Sequence, residues 1–271
     1  MIKKLLSVTA LSLALMPAVA QQDYDSDFGT WLELGAKKNL GVSRFSVGAN
    51  AELRMDDNSR SVNRLSVGVD ATYKWNKYVK FTLGYVFLDN YKKDKWKDGT
   101  EDNVWDKRKR VTDDDWKNHH RFYFDISPDI KVGRLLRISL RERYQYTFTP
   151  VDRYMRSSYY YRDVDGNLTL MEGRTKHEMM SDAREHKHVL RSRLKFEIDK
   201  KGLKWSPYVS VEAHNNLQSK MHLRKLRTAL GTDYKLNRHH SVGAAYILTR
   251  ENEDGDKELL HALDLNYSYK F

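Results

Sequence analysis

Arginine recurs at every second position through much of this chain, and that spacing decides what the residues do together. Between Leu136 and Phe148, Arg137, Ser139, Arg141, Arg143 and Gln145 alternate with Leu136, Ile138, Leu140, Tyr144, Tyr146 and Phe148. Successive side chains of a strand point to opposite faces, so a spacing of two gathers the guanidinium groups on one surface and the apolar groups on the other. The same construction puts Arg44, Arg54, Arg64, Arg121, Arg191, Arg193 and Arg227 on polar faces, together with Lys74, Lys80, Lys195, Lys225 and Lys235. Fewer acids share those faces: Glu52, Asp70, Asp125, Asp129, Glu197, Glu212, Asp233 and Asp264. An excess of fixed positive charge inside a low-dielectric wall attracts negative solutes, which makes anions the expected partners. The competing reading is that these cations and acids pair with one another and fill a narrow barrel.

Histidine offers a second chemistry. His119-His120 and the pair His186 and His188 fall near strand ends beside long insertions, while His239-His240, His214 and His261 lie elsewhere. An enzyme of protease or lipid hydrolase type would hold its site at such a rim, but no serine or acidic motif of a barrel enzyme accompanies them. Two histidines on one strand face are too few ligands for a metal, so no catalytic residue, metal ligand or cofactor is assigned. Asp113-Asp114-Asp115 and Asn252-Glu253-Asp254-Gly255-Asp256 depart from the EF-hand spacing and read as solvated turns. Lys92 to Lys97 and Lys107 to Arg110, interleaved with tryptophan, suit lipopolysaccharide phosphates or an extracellular polymer. Acidic runs interrupt these clusters, which favours ordinary solvated loops.

The elements that must carry these residues are strands. In Arg44 to Arg54 the apolar series is Phe45, Val47, Ala49, Ala51 and Leu53; in Arg64 to Trp75 it is Leu65, Val67, Val69, Ala71, Tyr73 and Trp75. Val79 to Phe87 repeats the pattern, as do Arg121 to Val132, Val189 to Asp199, Leu203 to Asn216, Arg224 to Leu236 and Ser241 to Arg250. None shows the period near 3.6 that a helix needs. Glu142 interrupts the apolar face of its segment, a mismatch that is costly at a bilayer midplane. Short turns alternate with longer polar loops, of which the longest are residues 89–118, expected to be free of strands, and 150–185, where Asp163 to Asn167 signals a hairpin turn. Aromatic residues cluster near strand ends, as at Trp75, Tyr78, Trp205, Tyr234 and Tyr269, which matches the two interfacial girdles of a membrane barrel.

The fold expected is therefore all-β: a transmembrane, antiparallel, up-and-down barrel of 10 to 12 strands with short periplasmic turns and long extracellular loops. Eleven segments are counted, whereas bacterial single-chain barrels have even numbers. Setting aside the segment that starts at Phe28 leaves ten, the preferred number, and a missed strand would give twelve. The last strand ends on Tyr267, Tyr269 and Phe271, an alternation resembling the closing strand read by the barrel-assembly machinery.

Met1 to Ala20 has Lys3 and Lys4, an apolar run and a small-x-small site before Gln21, which reads as a cleaved secretory signal. Residues 21–271 then form one domain. The formal charge of +11 falls to about +9 without Lys3 and Lys4, and export makes nucleic acid an unsuitable partner. Cysteine is absent, excluding disulfides and thiolate chemistry, and a mean hydropathy of −0.76 excludes a helical membrane protein. A Gram-negative outer membrane is the expected location, with its lipid and lipopolysaccharide as surroundings.

Phe28-Gly29-Thr30-Trp31 with Leu32 to Lys38, then Asn39-Leu40 and a strand ending Glu52-Leu53-Arg54, resembles the opening of an uncharacterised outer-membrane barrel family, domain of unknown function 2490. The resemblance is clearest over roughly the first hundred residues. It implies the fold and the location, and it brings no activity. The sequence alone thus points to a small porin-like or surface-binding barrel with a basic interior, against the alternatives of a rim enzyme and a structural envelope barrel.

Overall fold

The computed structural model describes residues 25–41, 44–92, 97–99, 106–112, 115–164, 167–170, 176–200, 202–253 and 256–271. The signal segment Met1 to Ala20, Asp113-Asp114, Asp254-Gly255, Trp96 and Trp105 lie outside these residues. Eleven strands close a barrel: β1 (Asp25–Asn39), β2 (Phe45–Asp56), β3 (Ser61–Lys74), β4 (Val79–Lys92), β7 (Asp115–Val132), β8 (Leu136–Thr149), β12 (Glu185–Ile198), β13 (Trp205–Asn216), β14 (His222–Lys235), β15 (His240–Glu253) and β16 (Asp256–Lys270). Five shorter strands form a second sheet: β5 (Lys97–Gly99), β6 (Asp106–Thr112), β9 (Asp152–Val164), β10 (Asn167–Leu170) and β11 (Lys176–Asp182). The described residues contain no helix.

Neither ten nor twelve is the strand number, and the segment that starts at Phe28 is a full wall strand. Strands that run alternately up and down bring two of the same direction together when their number is odd. That seam is β1 with β16, paired in parallel from Asp25 opposite Glu258 to Lys37 opposite Lys270. Every other wall pair is antiparallel. The Phe271 amide closes the lower edge by donating to the Lys37 carbonyl at 2.9 Å. One rim, the turn rim, carries the tight connections, such as Gly133 with positive φ between β7 and β8. The opposite loop rim carries the insertions.

Residues 89–118 are not strand-free. Strand β4 runs on to Lys92, β7 begins at Asp115, and β6 pairs with β9 from Asp106 opposite Arg162 to Thr112 opposite Arg156. The two long insertions thus join each other in one sheet beyond the loop rim. Charged residues occupy consecutive positions in β6, Lys107-Arg108-Lys109-Arg110, so no alternation marks it in the sequence. The hairpin signal in the second insertion corresponds to the pairing of β9 with β10, Val164 opposite Asn167.

The wall turns its apolar side outward. Leu34, Val67, Val69 and Leu83 are 60%, 60%, 56% and 64% exposed, a contiguous apolar surface far beyond what a protein in water tolerates. Aromatic contacts bound this band. Trp205 packs on Tyr234 at 4.6 Å and Phe45 on Tyr73 at 4.8 Å near the turn rim, while Tyr85 and Phe122 meet at 5.1 Å towards the loop rim. The only tight apolar cluster inside, among the described residues, is Trp31, Ala245, Ile247 and Ala262, on β1, β15 and β16.

Candidate functional site

Strand alternation delivers the polar face to the lumen, and the register decides which charges meet. Arg143 lies opposite Arg191, and Arg141 opposite Arg193, so like charges stand in direct opposition on the inner face of β8 and β12. Such opposition is unfavourable unless acids intervene. Glu212 of β13 supplies most of that compensation. Its carboxylate accepts from Arg141 at 2.6 Å and Arg191 at 2.5 Å, lies 3.9 Å from Arg193 and contacts His214 Nε2 at 2.6 Å. Asp125 takes Arg143 in a bidentate pair at 2.6 and 2.7 Å, the strong geometry for a guanidinium and a carboxylate. Nearer the turn rim, Asp129 and Asp199 bridge Lys80, Lys131 and Arg137, and Lys195 reaches Glu197 at 2.9 Å and Asp233 at 3.7 Å.

Aromatic rings lie flat among these charges. The Arg143 guanidinium covers Tyr123 at 3.8 Å and the Lys195 ammonium covers Tyr208 at 4.0 Å. Glycine makes the room. A Cβ at Gly84 would collide with the Tyr123 ring, and one at Gly231 would lie 2.8 Å from the Tyr208 ring.

The lumen holds two chambers, one above the other. The upper, about 450 Å³, opens among Asp27, Asn63, Glu251 and Glu258 at the loop rim; the lower, about 350 Å³, is lined by Arg121, Arg141, Arg191, Arg193 and Glu212. Three residues line both: Trp31, Arg54 and Arg227. They form a stack, with Arg54 3.8 Å from the Trp31 ring and Arg227 4.6 Å from it. This cation–π sandwich is the partition between the chambers.

Around the partition the pairing changes. Arg54 has a carboxylate, Glu52 at 2.7 Å, but Arg64 donates to the Asn90 amide oxygen at 2.6 Å, Arg121 to the Thr147 hydroxyl at 3.3 Å and Arg227 to the Thr249 hydroxyl at 3.2 Å. Among the described residues these three arginines meet neutral acceptors only. The buried Nε atoms of Arg54 and Arg141 have no acceptor, and one Asp264 oxygen in the lower chamber has no donor.

The other sequence-predicted residues fall as follows. Arg44 precedes the first residue of β2, escapes the strand alternation, and lies exposed at the turn rim with Nη1 donating to the Trp75 carbonyl at 3.0 Å. Arg137 also belongs to the turn rim, 2.8 Å from Asp199. Asp70 accepts from Thr72 at 3.3 Å beneath Gly48, where a Cβ would meet its carboxylate. Asp199, in the turn after β12, is pulled two ways. Partial burial would raise its pKa, but the Lys131 hydrogen bond and the Arg137 charge outweigh it and hold the carboxyl below the usual range. Sequence reasoning missed Trp31, Tyr123 and Tyr208 as interior residues. Their positions in the alternation, Trp31 in step with Glu33 and Lys37, carried the signal.

The histidines divide. His120, His186, His188 and His261 stand on the outer face, where each Nδ1 meets a tyrosine hydroxyl: Tyr85 at 2.8 Å, Tyr146 at 2.7 Å, Tyr144 at 2.7 Å and Tyr246 at 2.5 Å. His240 repeats the device near the turn rim with Tyr267 at 2.6 Å. These pairs give the girdle rings an internal partner for their polar ends. His119 bonds Thr149 at 2.7 Å inside. No group of three or more metal-ligating side chains occurs among the described residues. Glu142 stands outward, as its place in the alternation requires, and accepts from Ser192 at 2.5 Å.

A family model described as "Protein of unknown function (DUF2490)" matches residues 28–259. No curated protein matches the sequence. Among solved structures the chain is similar to the CymD monoaromatic hydrocarbon channel, with 10% identity, 88% of this chain and 87% of that chain covered, and a TM-score of 0.35. It is also similar to the translocator domain of autotransporter NalP from Neisseria meningitidis, with 10% identity, 94% and 92% covered, and a TM-score of 0.27.

Proposed function

The chain belongs to the family of unknown function DUF2490, and from that premise we propose that it is a porin-like outer-membrane barrel whose basic interior admits small anions. Membrane residence is supported by the outward apolar band, by the aromatic and Tyr–His girdles, and by closure of the sheet. In hydrocarbon an open sheet edge would leave backbone groups without partners. The reading includes export by the Met1 to Ala20 segment and insertion by the assembly machinery through Tyr267, Tyr269 and Phe271. It also places lipopolysaccharide around the loop rim.

The observation that carries the anion reading is the trio Arg64, Arg121 and Arg227, which face the chambers with neutral partners only. A cation already paired with a carboxylate contributes little to the field in the lumen; these three have no such direct pair. The outward histidines, each occupied by a tyrosine, lend no support to a hydrolase at the rim. The test is conductance of the refolded barrel in a planar bilayer with measurement of the anion to cation permeability ratio. Discrete, anion-preferring openings are expected. A folded barrel that conducts nothing, or prefers cations, contradicts the proposal.

A further inference from the structure

We propose that the lower chamber is a binding site for a compact oxyanion, a phosphate or a small phosphate ester, gripped by Arg121, Arg141, Arg193 and Arg227. The proposal rests on the reading that anions enter the lumen and goes beyond it, because an attractive lumen need not hold any solute in place.

Donor accounting carries it. The side chains lining this chamber include eight cations, against the four carboxylates of Glu33, Glu52, Glu212 and Asp264. Glu212 and Glu52 are already committed to Arg141, Arg191 and Arg54. A guanidinium has five N–H donors. Arg121 and Arg227 spend one each on a threonine hydroxyl, Arg193 approaches Glu212 only at 3.9 Å, and the buried Nε of Arg141 has no acceptor. The register makes the deficit structural, since Arg141 and Arg193 stand directly opposite each other. A group that brings several acceptor oxygens and negative charge fills that deficit, and forked guanidinium donors match oxyanion geometry in a way they do not match a halide.

The surroundings set the size and strength. The chamber of about 350 Å³ suits a small solute and not a polymer. It lies behind the Arg54–Trp31–Arg227 partition, where salt screens a bound charge less than at the rim. Arg227 contributes to both the partition and the chamber, so an oxyanion that draws it down also loosens its stack on Trp31.

The test is titration calorimetry on the barrel folded in detergent, with inorganic phosphate and glycerol phosphate as separate probes against chloride of matched ionic strength. Saturable heat is expected with phosphate and absent with chloride, and a tighter fit for the ester would identify the esterified form. Arg121→Gln and Arg193→Gln should each weaken binding about tenfold, whereas Arg137→Gln at the turn rim leaves it unchanged. Heat-shifted gel mobility verifies that each variant is folded, and Thr147→Val, which frees the Arg121 donor without removing charge, should retain binding. Equal heats for phosphate and chloride, or undiminished phosphate binding in folded Arg121→Gln and Arg193→Gln, overturn the site. Chloride conductance measured on the same preparations separates the two ideas. Anion-selective current without phosphate binding sinks the site alone, and phosphate binding in a silent barrel sinks the porin reading alone.

Discussion

Two groups of basic residues in one lumen have the same chemistry and end on different partners. From mid-height to the turn rim, arginines and lysines end on carboxylates: Arg143 on Asp125, Arg141 and Arg191 on Glu212, Arg137 and Lys131 on Asp199, Lys195 on Glu197. Towards the loop rim the pairing is mixed: Lys225 and Lys117 still end on Glu251 and Asp182, but Arg64, Arg121 and Arg227 end on an amide and two hydroxyls. Towards the turn rim the charge holds the wall together, while in the lower chamber Arg141 keeps a buried Nε without an acceptor and Arg193 reaches Glu212 only at 3.9 Å. Arg64, Arg121 and Arg227 leave donors and charge facing the chambers, which is costly for stability and useful for a solute. Mutual pairing of the basic strand faces is thus seen over most of the wall, and the proposed anion attraction rests on the three arginines that lack it.

The largest effect is expected at Glu212, the shared counter-charge of three arginines. Glu212→Gln would leave Arg141, Arg191 and Arg193 without their shared counter-charge, and removal of one partner from a buried charge cluster costs about 3–5 kcal/mol. Denaturant refolding into lipid vesicles, followed by gel mobility, measures it. A loss below 1 kcal/mol would mean that the lower network is not structural. Trp31→Ala removes the partition and leaves Arg54 and Arg227 without their ring. It should cost about 3 kcal/mol, as loss of a buried aromatic does, and raise the conductance of the folded barrel. An unchanged conductance would show that the stack does not lie on the solute path.

Glu142→Leu probes the outer face instead. A carboxylate facing hydrocarbon is unfavourable, so the variant should gain about 1–2 kcal/mol in vesicles and lose that gain in a polar detergent belt. No gain in vesicles would place Glu142 outside the hydrocarbon. The smallest effect is expected at the turn rim. The Asp199 carboxyl is held below its usual range in the folded barrel, so its contribution is present above the unfolded pKa and disappears as pH falls through the folded value. Solvent screening keeps it under roughly 1 kcal/mol. Acid titration of the unfolding midpoint for Asp199→Asn should lack that low-pH loss, and an identical acid profile would deny the bridge to Lys131 and Arg137.

Most of the wall was legible because each strand has one wet and one apolar face. That contrast fixed the inner position of Arg121, Arg141, Arg143, Arg191, Arg193 and Arg227 from spacing alone. It failed where the contrast is missing. Strand β6 has no apolar face to alternate with, so only its pairing with β9 reveals it. Arg44 lies one residue before its strand, where alternation no longer applies. The eleven strands lie within the expected 10 to 12, and only the preference for ten fails, because evenness is a tendency of membrane barrels and not a requirement; the parallel seam of β1 with β16 is the geometry that accommodates an odd number. The site was half legible. Spacing could place charges inside, but which arginine finds a carboxylate depends on register across strands far apart in sequence, as Arg141 does with Glu212, 71 residues away. Trp31 was passed over for the related reason that an aromatic on a polar face looks like an exception until its two arginine neighbours are known.

The most direct measurement is the reversal potential under a salt gradient for two paired sets of variants, Arg121→Gln with Arg227→Gln in the chamber wall and Lys131→Gln with Arg137→Gln at the turn rim. The wild-type barrel is expected to prefer anions, the chamber pair to reduce this preference strongly, and the rim pair barely to change it. Equal effects from both pairs, or a preference that survives loss of the chamber pair, would contradict the claim that the two groups of basic residues do different work.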